Sequence, residues 1–410
     1  MVKPWFALSK TTPIKNVAII GGGIAGCACA WRFAQAGYAV TLFEKNADIA
    51  QAASGNPVGL VEPYLTANHN VVDQFYTAGF LLTRQVLTQP LNGIAHIAHT
   101  PERQQRFQNL LAKRQFPDTF AQWLSAQEVS AKLGIHSDHP ALWLPTAGMI
   151  DPETFCRALL PTHPLFQLKT STQINTLIQK NGEWQLLDQH QKIHTASHVI
   201  IANAYDALQL AQTQDYPLKA SPGQLSIVAP TALSQSLRHP MCYEGYMTPA
   251  INGQHIIGAS YRHSATDLVV KEKDHTDQLT YLHKAFPQLA DSFSDTRKTA
   301  RVAVRALTPD HLPLVGPITN RQWLNEAYAK LRTGTPQKRA GYQSAQYLNN
   351  LYLCAGFGSR GLSGALLAAE VLLSLTTEKM LPVFADVYQA IHPSRFWIRE
   401  ITRLGKKETV

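Results

Sequence analysis

Val17-Ala18-Ile19-Ile20-Gly21-Gly22-Gly23-Ile24-Ala25-Gly26 is the segment that says most about the fold of this chain. Its first four residues predict a buried strand, and the apolar residues after Gly26 predict a helix. In such a turn Gly21 lets the chain leave the strand sharply, Gly23 lets the backbone approach a pyrophosphate, and Gly26 lets the helix pack closely on the sheet. The pyrophosphate would lie at the helix N-terminus, where unpaired N–H groups and the helix dipole favour negative charge.

Glu44 completes this motif, because it follows the second predicted strand, Val40-Thr41-Leu42-Phe43, 18 residues after Gly26. A carboxylate there can accept hydrogen bonds from the ribose hydroxyls of an adenosine, and it would repel a phosphorylated ribose. A glycine motif of this kind does not occur after a second strand, so the sequence predicts no separate nicotinamide dinucleotide site. We therefore predict FAD rather than NAD.

Two further segments support a flat, electron-rich ligand. The first, Ala53-Ser54-Gly55-Asn56-Pro57-Val58-Gly59-Leu60, contains small residues with turn chemistry that let the backbone come close to a ligand. The second begins with a predicted strand at Leu351-Tyr352-Leu353-Cys354-Ala355-Gly356 and continues through the loop Phe357-Gly358-Ser359-Arg360-Gly361-Leu362. A predicted Ala/Leu-rich helix over 363–375 follows, and its N-terminus would favour the negative charge that develops on a reduced flavin.

Composition is typical of a soluble enzyme, with 410 residues of which 45% are hydrophobic and 16% charged. The sequence contains no run of 18 apolar residues and no signal-peptide pattern, so we predict a cytoplasmic protein without a membrane partner. Its five cysteines are scattered, which indicates structural thiols rather than disulfides or a metal site.

The formal charge of +9 is high for an enzyme that acts on a small metabolite. Basic residues form three clusters that could follow a phosphate backbone or could simply be solvated faces. The clusters comprise Arg103, Arg106, Lys113 and Arg114; Arg321, Lys330, Arg332, Lys338 and Arg339; and Arg395, Arg399, Arg403, Lys406 and Lys407.

The pattern of strands and helices predicts an α/β fold, in which a Rossmann-like FAD-binding domain carries an inserted mixed-sheet α+β substrate domain. Residues 15–69, 166–220 and 301–375 are assigned to the FAD-binding domain, and residues 70–165 and 221–300 to the substrate domain. Residues 1–14 form a lead-in, and residues 376–410 a basic C-terminal helix and tail. We expect residues 70–165 to be rich in helix, and His198-Val199-Ile200-Ile201 to be a buried parallel strand.

The glycine motif, the Ser54-Gly55-Asn56 turn and the 358–362 loop resemble the D-amino-acid oxidase/glycine oxidase superfamily. Within it, the chain is more similar to the C-terminal oxidase domains of the bacterial tRNA 5-methylaminomethyl-2-thiouridine biosynthesis bifunctional proteins (the MnmC family). Four local signatures carry this resemblance, and they span nearly the whole chain: Lys3-Pro4-Trp5-Phe6; Gly245-Tyr246-Met247-Thr248-Pro249 with Ile257-Gly258-Ala259-Ser260-Tyr261; Arg301-Val302-Ala303-Val304-Arg305 with Asp310-His311-Leu312-Pro313-Leu314-Val315-Gly316; and His392-Pro393-Ser394-Arg395-Phe396-Trp397.

This chain departs from that family at two points. Pro222-Gly223-Gln224 stands where the family usually has Arg-Gly-Gln, which puts any contact of that arginine in doubt. The Lys-Pro-Trp-Phe segment normally joins an N-terminal methyltransferase domain, whereas here the sequence begins at it, so we expect the transferase half to be absent and a separate methyltransferase to be a possible partner.

The resemblance implies an FAD-dependent oxidase that removes the carboxymethyl group of 5-carboxymethylaminomethyl(-2-thio)uridine at the wobble position of tRNA. The anticodon loop of tRNA would be the partner, and the products would be 5-aminomethyl(-2-thio)uridine and glyoxylate. The alternative is a small-molecule amine or amino-acid oxidase of the same superfamily, in which the basic clusters are plain surface.

The resemblance also assigns roles to residues. Arg305 occupies the place of the arginine that binds the substrate carboxylate in glycine-type oxidases, unless it forms a structural ion pair such as one with Asp310. Tyr246 and Tyr261 could line the substrate pocket or be core residues. Predicted FAD contacts are Gly21, Gly23, Ile24, Ala25, Gly26, Glu44, Lys45, Ser54, Gly55, Asn56, Ile174, Ala202, Asn203, Gly356, Gly358, Ser359, Arg360, Gly361 and Leu362. No metal ligand is predicted.

Overall fold

A computed structural model describes residues 2–8, 10–262, 266–294, 296, 298–333 and 341–407; side chains at 332, 333 and 404–407 lie outside the description. The chain divides into two compact units. The first consists of Met1–Ser54, Cys156–Lys219 and Ala306–Val410, and the second of Gly55–Phe155 and Ala220–Arg305.

The strands, in chain order, are β1 (Asn16–Ile20), β2 (Ala39–Phe43), β3 (Gly59–Val61), β4 (Ile94–Ile97), β5 (Gln122–Leu124), β6 (Ala141–Leu144), β7 (Gly148–Ile150), β8 (Phe166–Lys169), β9 (Ile174–Lys180), β10 (Glu183–Asp188), β11 (Ile193–Ala196), β12 (His198–Ile201), β13 (Lys219–Val228), β14 (Met241–Cys242), β15 (Tyr246–Met247), β16 (His255–Gly258), β17 (Lys298–Leu307), β18 (Leu314–Thr319) and β19 (Tyr347–Ala355). The α-helices are α1 (Ile24–Gln35), α2 (Val71–Val86), α3 (Pro101–Arg114), α4 (Ala126–Leu133), α5 (Pro152–Leu159), α6 (Glu272–Ala285), α7 (Pro287–Asp291), α8 (Arg321–Ala327), α9 (Gly361–Thr376), α10 (Ala385–Ile391) and α11 (Arg395–Lys407).

The first unit is built on a six-stranded sheet in the order β18-β19-β12-β1-β2-β8. All neighbouring strands are parallel except β18 and β19, which run antiparallel. The apolar residues Val17 to Ile20 and Val199 to Ile201 are buried, as strands covered on both faces require, and His198 is buried with them. The expected Rossmann-like architecture is therefore confirmed. A smaller antiparallel sheet, in the order β11-β10-β9, belongs to the same unit.

The second unit is built on an eight-stranded mixed sheet in the order β17-β13-β16-β15-β14-β4-β6-β5. Its core cluster combines apolar side chains of these strands with α4, α6 and α7, among them Trp143, Met241 and Phe286. Residues 70–165 are rich in helix as expected, since they contain α2 to α5, but they also contain four short strands, β4 to β7, that were not predicted. These strands have only three or four residues each, too few to show a clear period in the sequence.

The bounds of the compact units differ from the expected domain bounds. Residues 55–69 belong to the second unit rather than to the FAD-binding domain, because β3 pairs with β7 in an antiparallel ladder. Residues 376–410 are not a separate tail but belong to the first unit, where the side chain of Arg395 binds the carboxylate of Asp310.

No described helix is both long enough and apolar enough to cross a lipid bilayer.

Candidate cofactor and substrate sites

The turn between β1 and α1 has the close packing that its glycines predict. Gly21 has a φ of +110°, a conformation that favours glycine. A Cβ atom on Gly21 would lie 2.7 Å from Cα of Asn203, and a Cβ atom on Gly26 would collide with the carbonyl oxygen of Gly21. Both positions therefore exclude side chains because the backbone of the unit fills the space.

Gly23 differs from these two glycines, because no described backbone atom crowds the space beside it. Within the described residues, a Cβ atom there would contact Oγ of Ser54 at 3.3 Å. Gly23 is the N-cap of α1 and offers no capping side chain, while the N–H of Ile24 donates to Oγ of Ser54 at 3.0 Å. Ala25, in the next position of the first turn, is buried. A helix N-terminus without a capping side chain suits a phosphate group.

Glu44 is buried, and hydrogen bonds from Gly22 and Asn46 hold its carboxylate in place. Its Oε2 accepts the N–H of Gly22 at 2.7 Å, and its Oε1 accepts the backbone N–H of Asn46 at 2.8 Å and the Asn46 side chain at 2.6 Å. A carboxylate has about four lone-pair sites, so these three bonds leave capacity for a further donor such as a ribose hydroxyl.

A second helix N-terminus lies beside the first. The chain leaves β19 through Gly356 and Gly358, at φ +84° and +60°, and the N–H of Gly358 donates to the carbonyl of Ala306 at 2.9 Å. A Cβ atom on Gly361, the first residue of α9, would lie 2.9 Å from Cγ2 of Ile24. The first turns of α1 and α9 are thus neighbours, and two helix dipoles favour negative charge at the same end of the unit.

Three more of the predicted FAD contacts lie at the start of α9. Arg360 is the N-cap of α9, and its side chain makes no capping hydrogen bond. Ser359 is exposed, and Leu362 is half-buried.

Four more predicted residues lie in the first unit, and three of them, Ala202, Asn203 and Lys45, follow the carboxyl ends of strands. The N–H of Ala202 donates to the carbonyl of Ile20 at 2.8 Å. The buried Oδ1 of Asn203 has no hydrogen-bond partner within the described part of the chain. Ile174 is buried at the start of β9, and Lys45 forms an exposed ion pair with Asp206 at 2.6 Å.

Gly55 and Asn56, which were predicted to contact the cofactor, belong to the second unit. There the Oδ1 atom of Asn56 accepts a hydrogen bond from Nε of Arg301 at 3.2 Å.

The first unit fits a dinucleotide by its own features. It presents two adjacent helix N-termini without capping side chains at Gly23 and Arg360, and a buried oxygen of Asn203 that has no hydrogen-bond partner among the described residues. We propose that these groups hold the pyrophosphate and the polar edge of the flavin ring, and that Glu44 binds the adenosine ribose.

The second unit brings the three predicted catalytic residues together around Arg305. Nη2 of Arg305 donates to the carbonyl of Ser260 at 2.6 Å, and its guanidinium lies 4.0 Å from the centre of the Tyr261 ring. A Cβ atom on Gly223 would lie 2.0 Å from Nη2, so the guanidinium occupies the space that glycine leaves. A hydrogen bond, a cation–π contact and a close backbone approach thus fix the orientation of Arg305.

Tyr246 lies on β15 beside this guanidinium. Burial raises the pKa of its phenol well above the ordinary value, although the charge of Arg305 acts in the opposite direction. The phenol therefore stays protonated and can donate a hydrogen bond. Tyr261, in contrast, is 54% exposed and presents its ring to solvent.

Gly223 and Ser260 were not predicted from the sequence as residues of this site. Gly223 lies in the Pro222-Gly223-Gln224 segment, whose resemblance to Arg-Gly-Gln was the available signal. Nothing in the local sequence marks Ser260, because it acts through its backbone carbonyl.

Among the contacts of the described residues, no hydrogen bond or ion pair joins Asp310 to Arg305. It binds Nη2 of Arg395 at 2.8 Å and Nη1 of Arg399 at 2.6 Å. Arg395 is only 2% exposed and also donates to the carbonyls of Leu312 and Pro313. Arg395 therefore lies neither on a surface that follows phosphates nor on a solvated face, which were the two alternatives for its cluster.

Some residues of the other basic clusters also bind groups within this chain. Arg114 binds the buried carboxylate of Asp73, and Arg103 donates to the carbonyl of Ile97. Arg106, Lys113 and Arg403 are exposed. Lys338 and Arg339, and the side chains of Arg332, Lys406 and Lys407, lie outside the described residues.

The cysteines are buried free thiols, as structural cysteines are expected to be. A hydrogen bond with the Cys156 thiol, together with burial, raises the pKa of Cys27. Cys29 makes the equivalent contact with Cys354, so the two thiols on α1 face different neighbours.

The comparisons with known proteins agree with this geometry. A family model described as FAD dependent oxidoreductase (DAO) matches residues 16–375. The tRNA 5-methylaminomethyl-2-thiouridine biosynthesis bifunctional protein MnmC of Pseudomonas fluorescens (strain Pf0-1) is 33% identical to this chain, over 98% of the chain and 62% of the relative. The chain thus spans about three fifths of the length of this relative.

Solved structures share the fold. Glycine oxidase from Geobacillus kaustophilus superposes with a TM-score of 0.73 at 17% identity, covering 93% of this chain and 99% of that chain. L-α-glycerophosphate oxidase from Mycoplasma pneumoniae, solved with FAD bound, gives a TM-score of 0.70 at 16% identity, covering 92% of this chain and 98% of that chain. With the family model matching most of its length, this chain belongs to the FAD-dependent oxidoreductase (DAO) family, and its cofactor is FAD.

Proposed function

We propose that this chain oxidises the side chain of 5-carboxymethylaminomethyl(-2-thio)uridine in the anticodon loop of tRNA, giving 5-aminomethyl(-2-thio)uridine and glyoxylate. The observation that carries the proposal is the 33% identity over 98% of the chain to a relative named for biosynthesis of a modified tRNA uridine. The net charge of +9 and the exposed Arg106, Lys113 and Arg403 support a polyanionic substrate.

The reaction is the oxidation of a secondary amine that carries a carboxylate. The N–CH₂–COO⁻ carbon loses a hydride, and the amine nitrogen loses its proton and gives the electron pair that forms the C=N bond. Water adds to this bond, which then breaks to release the primary amine and glyoxylate. FAD supplies the hydride acceptor.

Arg305 is the residue that we propose for binding the substrate carboxylate. Its guanidinium is planar and presents several N–H donors, of which Nη2 already donates to Ser260. Because the Ser260 carbonyl and the Tyr261 ring hold the guanidinium in one orientation, the carboxylate would be held in one orientation too. A fixed carboxylate limits the positions that the neighbouring CH₂ group can take.

Tyr246 and Tyr261 would contribute in different ways. The protonated phenol of Tyr246 can donate a hydrogen bond to the carboxylate or to the uracil edge. The exposed ring of Tyr261 can pack against the substrate on its solvent side, since one face of the ring is taken by Arg305.

The test uses the purified FAD-loaded chain and tRNA that carries the carboxymethylaminomethyl group. After incubation, the tRNA is digested to nucleosides and analysed by liquid chromatography with mass spectrometry, and glyoxylate is measured in parallel. We expect conversion to the aminomethyl nucleoside with one glyoxylate per nucleoside converted. Arg305→Lys, which keeps the charge and loses the planar fork, is the matched control and should react much more slowly.

The second candidate function is oxidation of a free amine such as glycine or sarcosine, which the same carboxylate-binding geometry would also support. Parallel assays with these compounds distinguish the two. Oxidation of the free amines with unchanged tRNA would replace our proposal by the second candidate.

A further inference from the structure

A second group of reactive side chains lies in the second unit, and the proposed oxidation does not use it. One carboxylate oxygen of Glu62, one ring nitrogen of His96 and Sγ of Cys242 all lie within 4.8 Å of one another. Within this group, Oε2 of Glu62 lies 2.8 Å from Nε2 of His96. The three donor atoms therefore lie close enough together for one ion to bind all of them.

The backbone of the sheet sets this convergence. Cys242 on β14 and His96 on β4 are register partners in a parallel ladder, so their side chains stand on the same face of the sheet. Glu62 directly follows β3, whose pairing with β7 fixes its position. The side chains of Glu62 and His96 are only 15% and 20% exposed, and Cys242 is buried. His96 and Cys242 on paired strands, and Glu62 directly after another strand, therefore have mostly buried side chains with little freedom to move apart.

The types of donor indicate the class of ion. Imidazole nitrogen, thiolate sulfur and carboxylate oxygen are the three protein ligands that zinc takes, whereas magnesium and calcium require oxygen ligands. Tetrahedral zinc with its usual bond lengths would place sulfur and nitrogen roughly 3.6 Å apart. Displacements of about 1 Å or less would bring the three atoms to such positions, starting from their present separations.

Zinc takes cysteine as the thiolate, and the thiol proton is released when the ion binds. The carboxylate of Glu62 and the thiolate of Cys242 together would neutralise the charge of a divalent cation.

We propose that Glu62, His96 and Cys242 form a zinc site with three protein ligands and a fourth position open to water. The ion joins β4, β14 and the segment after β3, and so stabilises this part of the second unit. This site is independent of the proposed oxidation of tRNA, since none of its three residues contributes to substrate binding there.

The test is a titration of the FAD-loaded protein with zinc chloride after removal of metals by a chelator. We expect isothermal titration calorimetry to give one zinc ion per chain, and mass spectrometry of metals after gel filtration to give the same stoichiometry. Cobalt(II) in place of zinc should produce a sulfur-to-metal charge-transfer band and strong visible bands to the red of the flavin absorption. Cys242→Ser, His96→Gln and Glu62→Gln should each lower the affinity for zinc at least about 100-fold, since even loss of a supporting group costs 10–100-fold.

The control variants carry the same substitutions elsewhere. Cys354→Ser removes a buried strand thiol of the first unit, and His136→Gln removes an exposed imidazole, so neither should change zinc binding. Flavin content and the unfolding midpoint identify any variant that fails to fold. The proposal is overturned if the wild-type chain takes up no zinc, or if folded His96→Gln and Glu62→Gln proteins bind it as tightly as the wild type.

Discussion

Gly223→Ala is the substitution that tests most directly how Arg305 is held. The new Cβ atom would lie 2.0 Å from Nη2 and 2.5 Å from Cζ of Arg305, and 3.0 Å from the carbonyl oxygen of Ser260. Non-bonded atoms do not approach one another this closely in folded proteins, so something must move. The most mobile of these atoms are at the end of the Arg305 side chain. We therefore expect the guanidinium to move away while the backbone stays in place.

The size of the effect follows from what the guanidinium loses. Displacement breaks the 2.6 Å hydrogen bond to Ser260 and removes the guanidinium from its position over Tyr261. A hydrogen bond to a charged group contributes about 1.5–3 kcal/mol. If that much carboxylate binding is lost in the transition state, kcat/KM falls by about 10-fold to 150-fold. The free energy of unfolding should change by no more than about 1.5 kcal/mol, because the clash is relieved by a flexible side chain.

The assay is steady-state kinetics on the substrate that proves active, with flavin content and thermal unfolding measured on the same preparations. Gly341→Ala is the matched control, since a Cβ atom there would meet no atom of the described residues within 4 Å. The double variant Gly223→Ala with Arg305→Lys should be hardly slower than Arg305→Lys alone, because both changes act on one group. Additive losses, or a Gly223→Ala enzyme with normal kcat/KM, would refute this account of the site.

Two other changes test the cofactor turn and the buried ion pair. Gly23→Ala should lower FAD content and affinity by at least about 10-fold, because its Cβ would lie at the N-terminus of α1, where we propose that the pyrophosphate binds. The chain should stay folded, because Gly23 has an ordinary φ of −80° and the Cβ would contact a side-chain hydroxyl, that of Ser54, at 3.3 Å. The ratio of flavin to protein absorbance and the melting of the apoprotein measure both effects. Asp310→Asn should cost about 3 kcal/mol of unfolding free energy at neutral pH, because it leaves the buried Arg395 without its carboxylate. Burial alone raises the pKa of Asp310, but Arg395 and Arg399 outweigh it and hold the pKa below its ordinary value. The stabilisation is therefore complete above the ordinary pKa and is lost as pH falls through the lowered one; urea unfolding at neutral pH and near pH 3 should show the difference between wild type and variant shrinking at the lower pH.

The cofactor half of the molecule could be predicted because its determinants are local. Gly21, Gly23 and Gly26 lie within six residues, and each requirement on them is set by the strand and helix that they join. The proximity of α9 to α1 is different, because it depends on Gly361 packing against Ile24 across more than three hundred residues. The sequence indicated two helix N-termini but not that they are neighbours.

Charge in the sequence was a weaker guide, and Arg395 shows the reason. It recurs with Arg399 and Arg403 at helical spacing, which predicts one exposed stripe on α11. The structure buries Arg395 against Asp310, and α11 begins at this residue. Spacing gives the direction of a side chain on its own helix, whereas burial depends on what packs against that helix.

The arrangement of residues in the second unit was still harder to predict, because the pairing of its strands brings these residues together and the local sequence does not specify that pairing. Tyr246 faces Cys242 across the β14–β15 hairpin, and Cys242 faces His96 on β4, so one row of the sheet carries a phenol, a thiol and an imidazole. None of these residues lies in a motif that indicates metal binding, and the cysteine count alone argued against a metal site. A shift of one residue in β14 would move the thiol to the opposite face and separate it from His96. The chemistry available to this unit is therefore a consequence of how its short strands are paired, and substitutions that alter that pairing should affect zinc binding and Arg305 together.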